Sequence, residues 1–235
     1  MEEKAKLVRK WCLRATTEAG SGHPTSCLSA ADLVTVLFDK FLAPDDHFVL
    51  SKGHAAPLLY TAYALAGAFE LKHLLTLRKF TSELEGHPTP RLPFVEAATG
   101  SLGQGLSVGA GIAYALGAGI SNSPKVYVLL GDGEMAEGEV WEAANFASYY
   151  ELRNLVAILD VNRLGQSQET MFGHQVSEHR NRFAAFGWET QVINGHNFGE
   201  IIDAYAKAQA SPKPFVIIAK TVKGKGVSFL EDKDG

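Results

Sequence analysis

From Lys125 onward, short apolar runs alternate with segments that have the residue spacing of helices, and this alternation strongly constrains the fold. A short run without polar interruptions is typical of a parallel strand that is buried on both faces. Such runs occupy 125–130, 155–160 and 214–220, and a further strand, which contains polar residues, is predicted at 188–193. The helices between and after them are predicted near 137–150, 178–186 and 198–210. Strands separated by helices of this length predict βαβ units and a parallel sheet.

The residues before Lys125 are mainly helical in pattern. Helices are predicted at 3–19, 27–42, 55–67, 70–80 and 102–119. One short strand, 47–50, adds to the sheet, and Asn197 with Glu200 resembles a capping box for the last helix. We therefore predict an α/β protein, a three-layer α/β/α fold with a mostly parallel sheet of about five or more strands. Because no internal repeat or linker interrupts the pattern, residues 1–235 are expected to form a single domain.

Charge and composition exclude several classes of function. The net charge of −4 and the pI of about 6.1 argue against nucleic-acid binding, which needs a basic surface. No apolar stretch approaches the ~20 residues of a membrane span, and the N-terminus is too charged for a secretory signal. A cytoplasmic location without membrane contact is therefore expected. Cys12 and Cys27 do not make a disulfide framework and are expected to be buried thiols.

Polar clusters follow two of the predicted strands at the point where each strand ends. Gly131-Asp132-Gly133-Glu134 comes directly after one apolar run, and Asp160-Val161-Asn162 closes the next. The carboxyl ends of neighbouring parallel strands are where open α/β sheets bind ligands. Asp and Asn oxygens suit Mg²⁺ or Ca²⁺, and glycines let the backbone approach a phosphate closely. The sequence therefore predicts a metal-bridged diphosphate site.

Three of the eight histidines follow a glycine in a predicted loop. They are His23 in Gly22-His23-Pro24, His54 in Gly53-His54 and His87 in Gly86-His87-Pro88. Neither helical histidine spacing nor a cysteine partner supports zinc binding, so proton transfer and recognition of substrate hydroxyls fit better. The other five have no motif around them and are expected to be surface or packing residues. These are His47, His73, His174, His179 and His196.

The predicted helix at 102–119 is rich in glycine, alanine and serine. Each glycine lowers helix stability by roughly 1 kcal/mol relative to alanine, so a helix of this kind needs a close neighbour. Two neighbours fit: another helix of the same chain, or a second subunit beside a cofactor. A dinucleotide fingerprint does not fit, because Val108 stands where a third glycine is needed and no strand precedes it.

Taken together and in this order, the motifs resemble the N-terminal, diphosphate-binding domain of transketolases, which are thiamine-diphosphate enzymes. The motifs are Gly22-His-Pro24, Ser51-Lys-Gly-His54, Gly86-His-Pro88, Thr99-Gly-Ser-Leu-Gly-Gln-Gly105, Gly131-Asp-Gly-Glu134 with Asn162, and Lys220-Thr-Val-Lys-Gly-Lys-Gly226. The resemblance covers essentially all 235 residues. It implies transfer of a two-carbon ketol unit between sugar phosphates, as in the pentose phosphate pathway.

The resemblance also implies roles for individual residues. The metal ligands would be Asp132, the Asn162 side chain and the Leu164 carbonyl, holding Mg²⁺ or, alternatively, Ca²⁺. Contacts to thiamine diphosphate would come from Lys52, His54, Gly100, Ser101, Leu102, Gly133, Asn162, Gln166 and Lys223. His23 and His87 would be catalytic, close to the transferred ketol group. Glu137, with Glu142, would belong to an acidic chain that links two active sites across a subunit interface; a solvated helix face is the alternative for these glutamates.

Transketolases also contain a pyrimidine-binding domain, and a Trp-His-Gly triplet follows the segment that matches Phe229–Gly235. The sequence is therefore expected to be either one subunit of a split transketolase or a truncated part of a longer enzyme, in a homodimer or heterotetramer. In both cases we expect no ketol transfer without the partner. A deoxyxylulose-phosphate synthase, a 2-oxo-acid dehydrogenase component and a non-catalytic cofactor-binding or assembly module are the alternatives.

Overall fold

A computed structural model, which describes residues 1–117 and 123–233, confirms the predicted parallel sheet. The strands are β1 (His47–Leu50), β2 (Val126–Gly131), β3 (Leu155–Val161), β4 (Glu189–Asn194) and β5 (Phe215–Lys220). All four pairings are parallel, and the order across the sheet is β1-β2-β3-β5-β4. Each predicted strand agrees with the observed one to within about one residue. For β2, β3 and β5 the reason is that an uninterrupted apolar run is what two covered faces require. In contrast, β4 contains polar residues and is mostly exposed or half-buried.

Helices cover both faces of the sheet. They are α1 (Glu2–Ala19), α2 (Pro24–Val36), α3 (Ala56–Leu65), α4 (Gln104–Ala115), α5 (Gly138–Tyr149), α6 (Val176–Ala185) and α7 (Phe198–Ala210). Within β2, Tyr127 and Leu129 belong to one apolar core with α1, α2, α3 and α7. Val128 and Leu130 belong to a second core with α4, α5 and α6. Because side chains alternate along a strand, this division confirms the three-layer fold.

The bounds of α2 and the cap of α7 differ from the sequence prediction. The helix predicted at 27–42 begins earlier, with Pro24 in its first turn, and finishes as a π-helical turn over Leu37–Phe41. The capping box of α7 forms only in part. Asn197 accepts hydrogen bonds from the backbone N–H groups of the second and third helical residues at 3.0 and 3.2 Å. The Glu200 carboxylate instead accepts from the Asn194 backbone N–H at 2.7 Å.

The helix predicted at 70–80 is wrong in type and length. The chain forms a 3₁₀ helix over Leu71–Thr76 and then leaves helical geometry at Leu77, which has an extended backbone. Arg78 follows with a left-handed φ of 60°. The Thr76 and Ser82 hydroxyls are 2.7 Å apart and bridge the turn that replaces the predicted last helical turn.

The small-residue helix begins at Gln104, because Gly103 has a φ of 93° that lies outside helical geometry. The predicted end at 119 lies outside the described residues, as does the end of the segment 229–235. A Cβ on Gly109 would lie 2.3 Å from Val128 of β2, and one on Gly105 would lie 2.5 Å from Ser51. These glycines therefore let α4 rest directly on the sheet, an arrangement that neither sequence interpretation anticipated.

Within 1–117 and 123–233, no helix is both long enough and apolar enough to cross a membrane.

Candidate cofactor site

The carboxyl ends of four strands meet at one edge of the sheet. The register pairs Leu50 with Leu129, Gly131 with Asp160, and Val161 with Lys220. The loops that follow β1, β2, β3 and β5 therefore converge, and they enclose a cavity of about 340 Å³ that we call the strand-end cavity. Most of the residues singled out in the sequence lie in its wall.

The structure brings twelve of the predicted site residues together there. They are His23, Lys52, His54, His87, Gly100, Leu102, Asp132, Gly133, Asn162, Leu164, Gln166 and Lys223. The other two lie beside the cavity rather than in its wall. Ser101 is exposed next to Gly100, and Glu137 is exposed just before α5. A Cβ on Gly103 would lie 2.8 Å from the Glu137 Cβ, so Glu137 packs against the start of α4.

Asp160, to which the sequence assigned no role, is the centre of a buried network. Its carboxylate forms an ion pair with Lys52, and both side chains are essentially inaccessible to solvent. It also accepts hydrogen bonds from Ser29 at 2.6 Å, from Asn162 at 3.1 Å and from the Thr221 hydroxyl. Burial alone would raise the pKa of Asp160, but the Lys52 ammonium and these donors hold it below its ordinary value. Asp160 therefore fixes Lys52 and Asn162 in the cavity wall.

Asp132 is also buried but is bound differently. It accepts hydrogen bonds from the Arg163 backbone N–H at 2.8 Å, the Thr170 hydroxyl at 2.9 Å and the Gly133 N–H at 3.1 Å. Within the described ranges, no lysine, arginine or histidine forms an ion pair with it. Burial and the nearby Asp160 raise the pKa of Asp132 to about 6. This buried carboxylate is therefore suited to a bound cation.

The neighbouring oxygens fit a hard metal ion. Asn162 contributes an amide oxygen, which also accepts from the Leu164 N–H at 3.3 Å. The Leu164 carbonyl lies 2.9 Å from the Lys223 ammonium and so faces positive charge. Carboxylate, amide and carbonyl oxygens are the ligands that Mg²⁺ and Ca²⁺ prefer. Over the described part of the chain, no group of three or more His, Cys, Asp or Glu is placed to hold a metal ion.

Glu134 joins three segments around the cavity, a role that the sequence did not reveal. One carboxylate oxygen accepts hydrogen bonds from the Ser51 hydroxyl and from the Gly103 N–H at 2.9 Å. The other accepts from the Gly131 N–H at 2.8 Å. The side chain thus ties the ends of β1 and β2 to the start of α4. Its position in the Gly-Asp-Gly-Glu sequence was a signal, but its partners are distant along the chain.

The three loop histidines are brought together in the wall of the cavity. The rings of His23 and His54 lie 5.4 Å apart and nearly perpendicular. Burial, followed by the Lys52 charge, lowers the pKa of His54 to about 3. Burial and the charge of Arg78 also lower the pKa values of His23 and His87. Neutral imidazoles can both donate and accept hydrogen bonds, which suits hydroxyl recognition and proton transfer.

The remaining histidines have more specific contacts than their lack of motifs suggested. His47 pairs with Glu96 and His73 with Glu83 at the surface. His174 contacts the Thr221 carbonyl at 2.9 Å. His179 is buried, as is expected of a packing residue, but neither ring nitrogen has a hydrogen-bond partner within 1–117 and 123–233. His196 contacts Asp32 and a backbone amide. Cys12 and Cys27 are buried and unpaired, as predicted.

Fold and site together define a parallel α/β domain whose strand ends enclose a polar cavity lined by Lys52, Lys223 and the buried Asp132. Comparison with known families makes this more specific, because residues 1–234 match the sequence model described as "Transketolase, thiamine diphosphate binding domain". The chain therefore belongs to the transketolase family and corresponds to the thiamine-diphosphate-binding domain found at the N-terminus of its members.

Individual relatives agree with this assignment. Human transketolase is 49% identical over 243 residues, which cover 100% of this chain and 39% of the human protein. One subunit of the apulose-4-phosphate transketolase of Phocaeicola vulgatus is 38% identical over 241 residues, covering 98% of this chain and 85% of that relative. The crystal structure of Campylobacter jejuni transketolase superposes with a TM-score of 0.89 at 35% identity, covering 98% of this chain and 39% of that one. The chain thus spans about two fifths of the transketolases it resembles.

Proposed function

We propose that this chain binds thiamine diphosphate together with Mg²⁺ and provides the diphosphate-binding half of a transketolase active site. The observation that carries the proposal is the convergence of Asp132, Asn162 and the Leu164 carbonyl with two lysines in one cavity. Asp132 would bind the metal with the two neighbouring oxygens, and Ca²⁺ could replace Mg²⁺ there. The cytoplasmic location expected from the sequence stays a prediction.

The diphosphate would lie among Lys52, Lys223 and the Gly133 backbone N–H. A diphosphate carries about three negative charges, which require a metal ion, cationic side chains and N–H donors. Lys52 is fixed by Asp160, and Lys223 is held by the carbonyls of Leu164 and Gly165 at 2.9 and 2.6 Å. Both cations are therefore oriented before a ligand arrives, which reduces the entropy lost on binding.

Thiamine diphosphate, when bound, supplies the electron-accepting chemistry of ketol transfer. The chain itself would contribute substrate orientation and proton movement. His23 and His87 would bind hydroxyl groups of the sugar and move protons, because both line the cavity and their lowered pKa values favour neutral rings. His54, neutral and more deeply buried, would contact the cofactor. Gly100, Ser101, Leu102 and Gln166 would line the cofactor beside the diphosphate.

Ketol transfer is proposed to require a partner that carries a pyrimidine-binding domain. Support comes from the relative in Phocaeicola vulgatus, whose name describes one subunit of a transketolase and which matches this chain over 85% of its own length. A surface on α4 and α5 also supports a subunit contact: Tyr114, Phe146, Tyr149 and Tyr150 cluster there, and Tyr149 is 78% exposed. A homodimer or a heterotetramer with Glu137 near the contact would fit this surface.

Calorimetry tests the binding half of the proposal. We expect heat and a thermal shift when thiamine diphosphate is added with Mg²⁺, and no response from thiamine diphosphate with a chelator. Asp132→Asn should abolish the response, whereas Asp203→Asn, at an exposed aspartate paired with Lys207, should leave it unchanged. If neither the chain nor its mixture with a pyrimidine-binding partner responds, the cofactor proposal is wrong.

An activity assay tests the catalytic half. The chain would be mixed with the remaining part of a related transketolase and supplied with xylulose 5-phosphate and ribose 5-phosphate. Turnover only in the mixture is the expected result. Robust turnover by the chain alone would contradict the partner requirement, and use of pyruvate as donor would favour a deoxyxylulose-phosphate synthase. Binding without turnover in any mixture would favour a non-catalytic module.

A further inference from the structure

His196, just beyond the end of β4, connects a buried ion pair to the loop that carries Lys223. Its Nδ1 lies 2.7 Å from an Asp32 carboxylate oxygen, and its Nε2 lies 2.9 Å from the Val222 backbone nitrogen. Arg9 binds the same carboxylate through two nitrogens at 2.8 and 2.7 Å. The three side chains are only 6–13% exposed, so water weakens these contacts much less than it weakens surface pairs.

The geometry fixes which ring nitrogen of His196 carries the proton. A backbone N–H can only donate, so Nε2 must accept from Val222 through its lone pair. The proton of the neutral ring then resides on Nδ1 and is donated to Asp32. Arg9 holds the carboxylate in a two-bond fork that fixes its plane as well as its position. The direction of the Nε2 lone pair is therefore set by residues of α1 and α2.

The loop that receives this contact is attached at both of its ends. Before Val222, the Thr221 hydroxyl donates to Asp160. After Lys223, the Gly224 N–H donates to the Thr25 carbonyl at 3.1 Å. Between these attachments, the Val222 amide contacts His196, and the next side chain along is Lys223. The position of the Val222 peptide therefore helps to set the backbone from which the Lys223 side chain reaches the Leu164 and Gly165 carbonyls in the cavity wall.

We propose that His196 is a positioning residue which, oriented by Asp32 and Arg9, holds the Val222 peptide so that Lys223 faces the diphosphate. The inference rests on the proposed function, because it assigns Lys223 a diphosphate ligand. It extends that function to three side chains outside the strand-end cavity. Sequence reasoning placed His196 among surface or packing residues, since neither Asp32 nor Val222 is near it along the chain.

Two substitutions of His196 separate its contact with Asp32 from its contact with the Val222 backbone nitrogen. In His196→Gln, the side-chain amide reaches the former Nε2 position and can still accept from Val222. In His196→Asn, the shorter amide reaches the Nδ1 position and can contact only Asp32. Loss of one hydrogen bond is worth about 1 kcal/mol, so we expect the Asn variant to bind Mg²⁺–thiamine diphosphate about five- to tenfold more weakly. The Gln variant should stay within about threefold of the unmodified chain.

A double-mutant cycle shows whether the effect passes through Lys223. In a Lys223→Met background, His196→Asn should cause no further loss of affinity, because the side chain being positioned is gone. His73→Asn, at an exposed histidine that pairs with Glu83, is the matched control and should bind normally. Equal affinity of the Asn and Gln variants, or full additivity with Lys223→Met, would overturn the proposal.

Amide hydrogen exchange separates failure of this inference from failure of the proposed function. Without any cofactor, the Val222 amide should exchange faster in His196→Asn than in His196→Gln. If the chain binds no cofactor but exchange follows this order, the positioning contact stands and the cofactor proposal fails. Unchanged Val222 protection in His196→Asn would overturn the contact itself. Should His196→Asn fail to fold, Asp32→Asn provides the same readout with a smaller expected rise in exchange.

Discussion

Two buried aspartates at the ends of adjacent strands, Asp160 on β3 and Asp132 after β2, have opposite surroundings. Asp160 is 0% exposed and has Lys52 as an ion-pair partner together with two hydroxyl donors. Asp132 is 5% exposed and has backbone N–H groups and one hydroxyl, but no cationic side chain in the described residues. Accordingly, the pKa of Asp160 is lowered, whereas that of Asp132 is raised to about 6.

The difference is between a carboxylate that has an ion-pair partner within the chain and one for which we propose a bound ligand as the partner. A buried carboxylate is stable only when a partner compensates for its lost hydration. The chain provides that partner for Asp160, so this region is complete in the folded protein. Asp132 has hydrogen-bond donors but no ion-pair partner among the described residues, and the proposed function assigns that place to a divalent cation, which the adjacent Asn162 and Leu164 oxygens fit.

Removing the cation of Asp160 should have the largest effect on stability. Lys52→Met leaves the Asp160 charge buried without its partner, and breaking a buried pair in this way costs about 3–5 kcal/mol. The measurement is the free energy of unfolding by urea at pH 8. Lys207→Met, at an exposed lysine paired with Asp203, is the control and should cost less than about 1 kcal/mol.

The double variant Lys52→Met/Asp160→Asn should recover part of the loss, because it removes the uncompensated charge as well. A loss below about 1 kcal/mol in Lys52→Met would show that the two aspartates are not distinguished by Lys52. In that case, the hydroxyl donors of Ser29 and Thr221 would be sufficient for Asp160.

A third buried polar group, His179 in α6, has no hydrogen-bond partner among the described residues and extends the comparison to a base. Burial, with a smaller effect of Arg182, lowers its pKa from 6.5 to about 4. As the pH falls, His179 therefore becomes protonated at a higher pH in the unfolded chain than in the folded chain. Stability from this group is present above pH 6.5 and is lost as the pH falls toward 4, by about 3 kcal/mol in total.

His179→Leu should remove this part of the pH dependence. We expect unfolding free energies measured between about pH 7 and pH 4 to fall less steeply in the variant than in the unmodified chain. His54, whose pKa is also lowered, continues to contribute in both proteins. His73→Leu, at an exposed histidine, should leave the profile unchanged. Parallel profiles for His179→Leu and the unmodified chain would contradict the buried, neutral state of His179.

Where the sequence predicted the fold well, the reason was local. The uninterrupted apolar runs at 155–160 and 214–220 predicted β3 and β5 closely, since burial on both faces leaves no other pattern. The helix predicted at 70–80 failed because the contact between the Thr76 and Ser82 hydroxyls, which bridges the turn, does not appear in residue spacing. The close approach of α4 to Val128 was likewise invisible without the sheet.

The residues of the site likewise fall into those that the sequence could place and those that it could not. Residues next to strand ends, such as Asp132 and Asn162, were placed correctly at one edge because the carboxyl ends of parallel strands all lie on the same side of the sheet. Their chemical roles remain predictions. Asp160 and His196 were missed because their functional contacts depend on partners 108 and 164 residues away. Residues so far apart along the chain meet only when the sheet packs against α1 and α2.

The two aspartates differ most clearly in how removing the charge of Asp132 should change stability without and with the bound ligand. Its folded-state pKa of about 6 lies above the ordinary value of 3.8, so the charged form destabilises the metal-free protein. Asp132 therefore does not lower the free energy of unfolding below about pH 3.8, where it is protonated in both states. As the pH rises from 3.8 through about 6, this carboxyl lowers the free energy of unfolding. Asp132→Asn carries no charge at any pH. Allowing for one weakened hydrogen bond, we expect the metal-free variant to be about 1–2 kcal/mol more stable at pH 8.

Mg²⁺ with thiamine diphosphate should reverse that order. A ligand that binds only the folded chain adds RT ln(1 + [L]/Kd) to its stability, about 2.7 kcal/mol at one hundred times Kd. The unmodified chain should gain this amount, whereas Asp132→Asn should gain little because its metal ligand is neutral. Unfolding curves with and without the two ligands give both values. An Asp132→Asn protein that is less stable without metal, or equally stabilised with it, would show that Asp132 is structural in the same sense as Asp160.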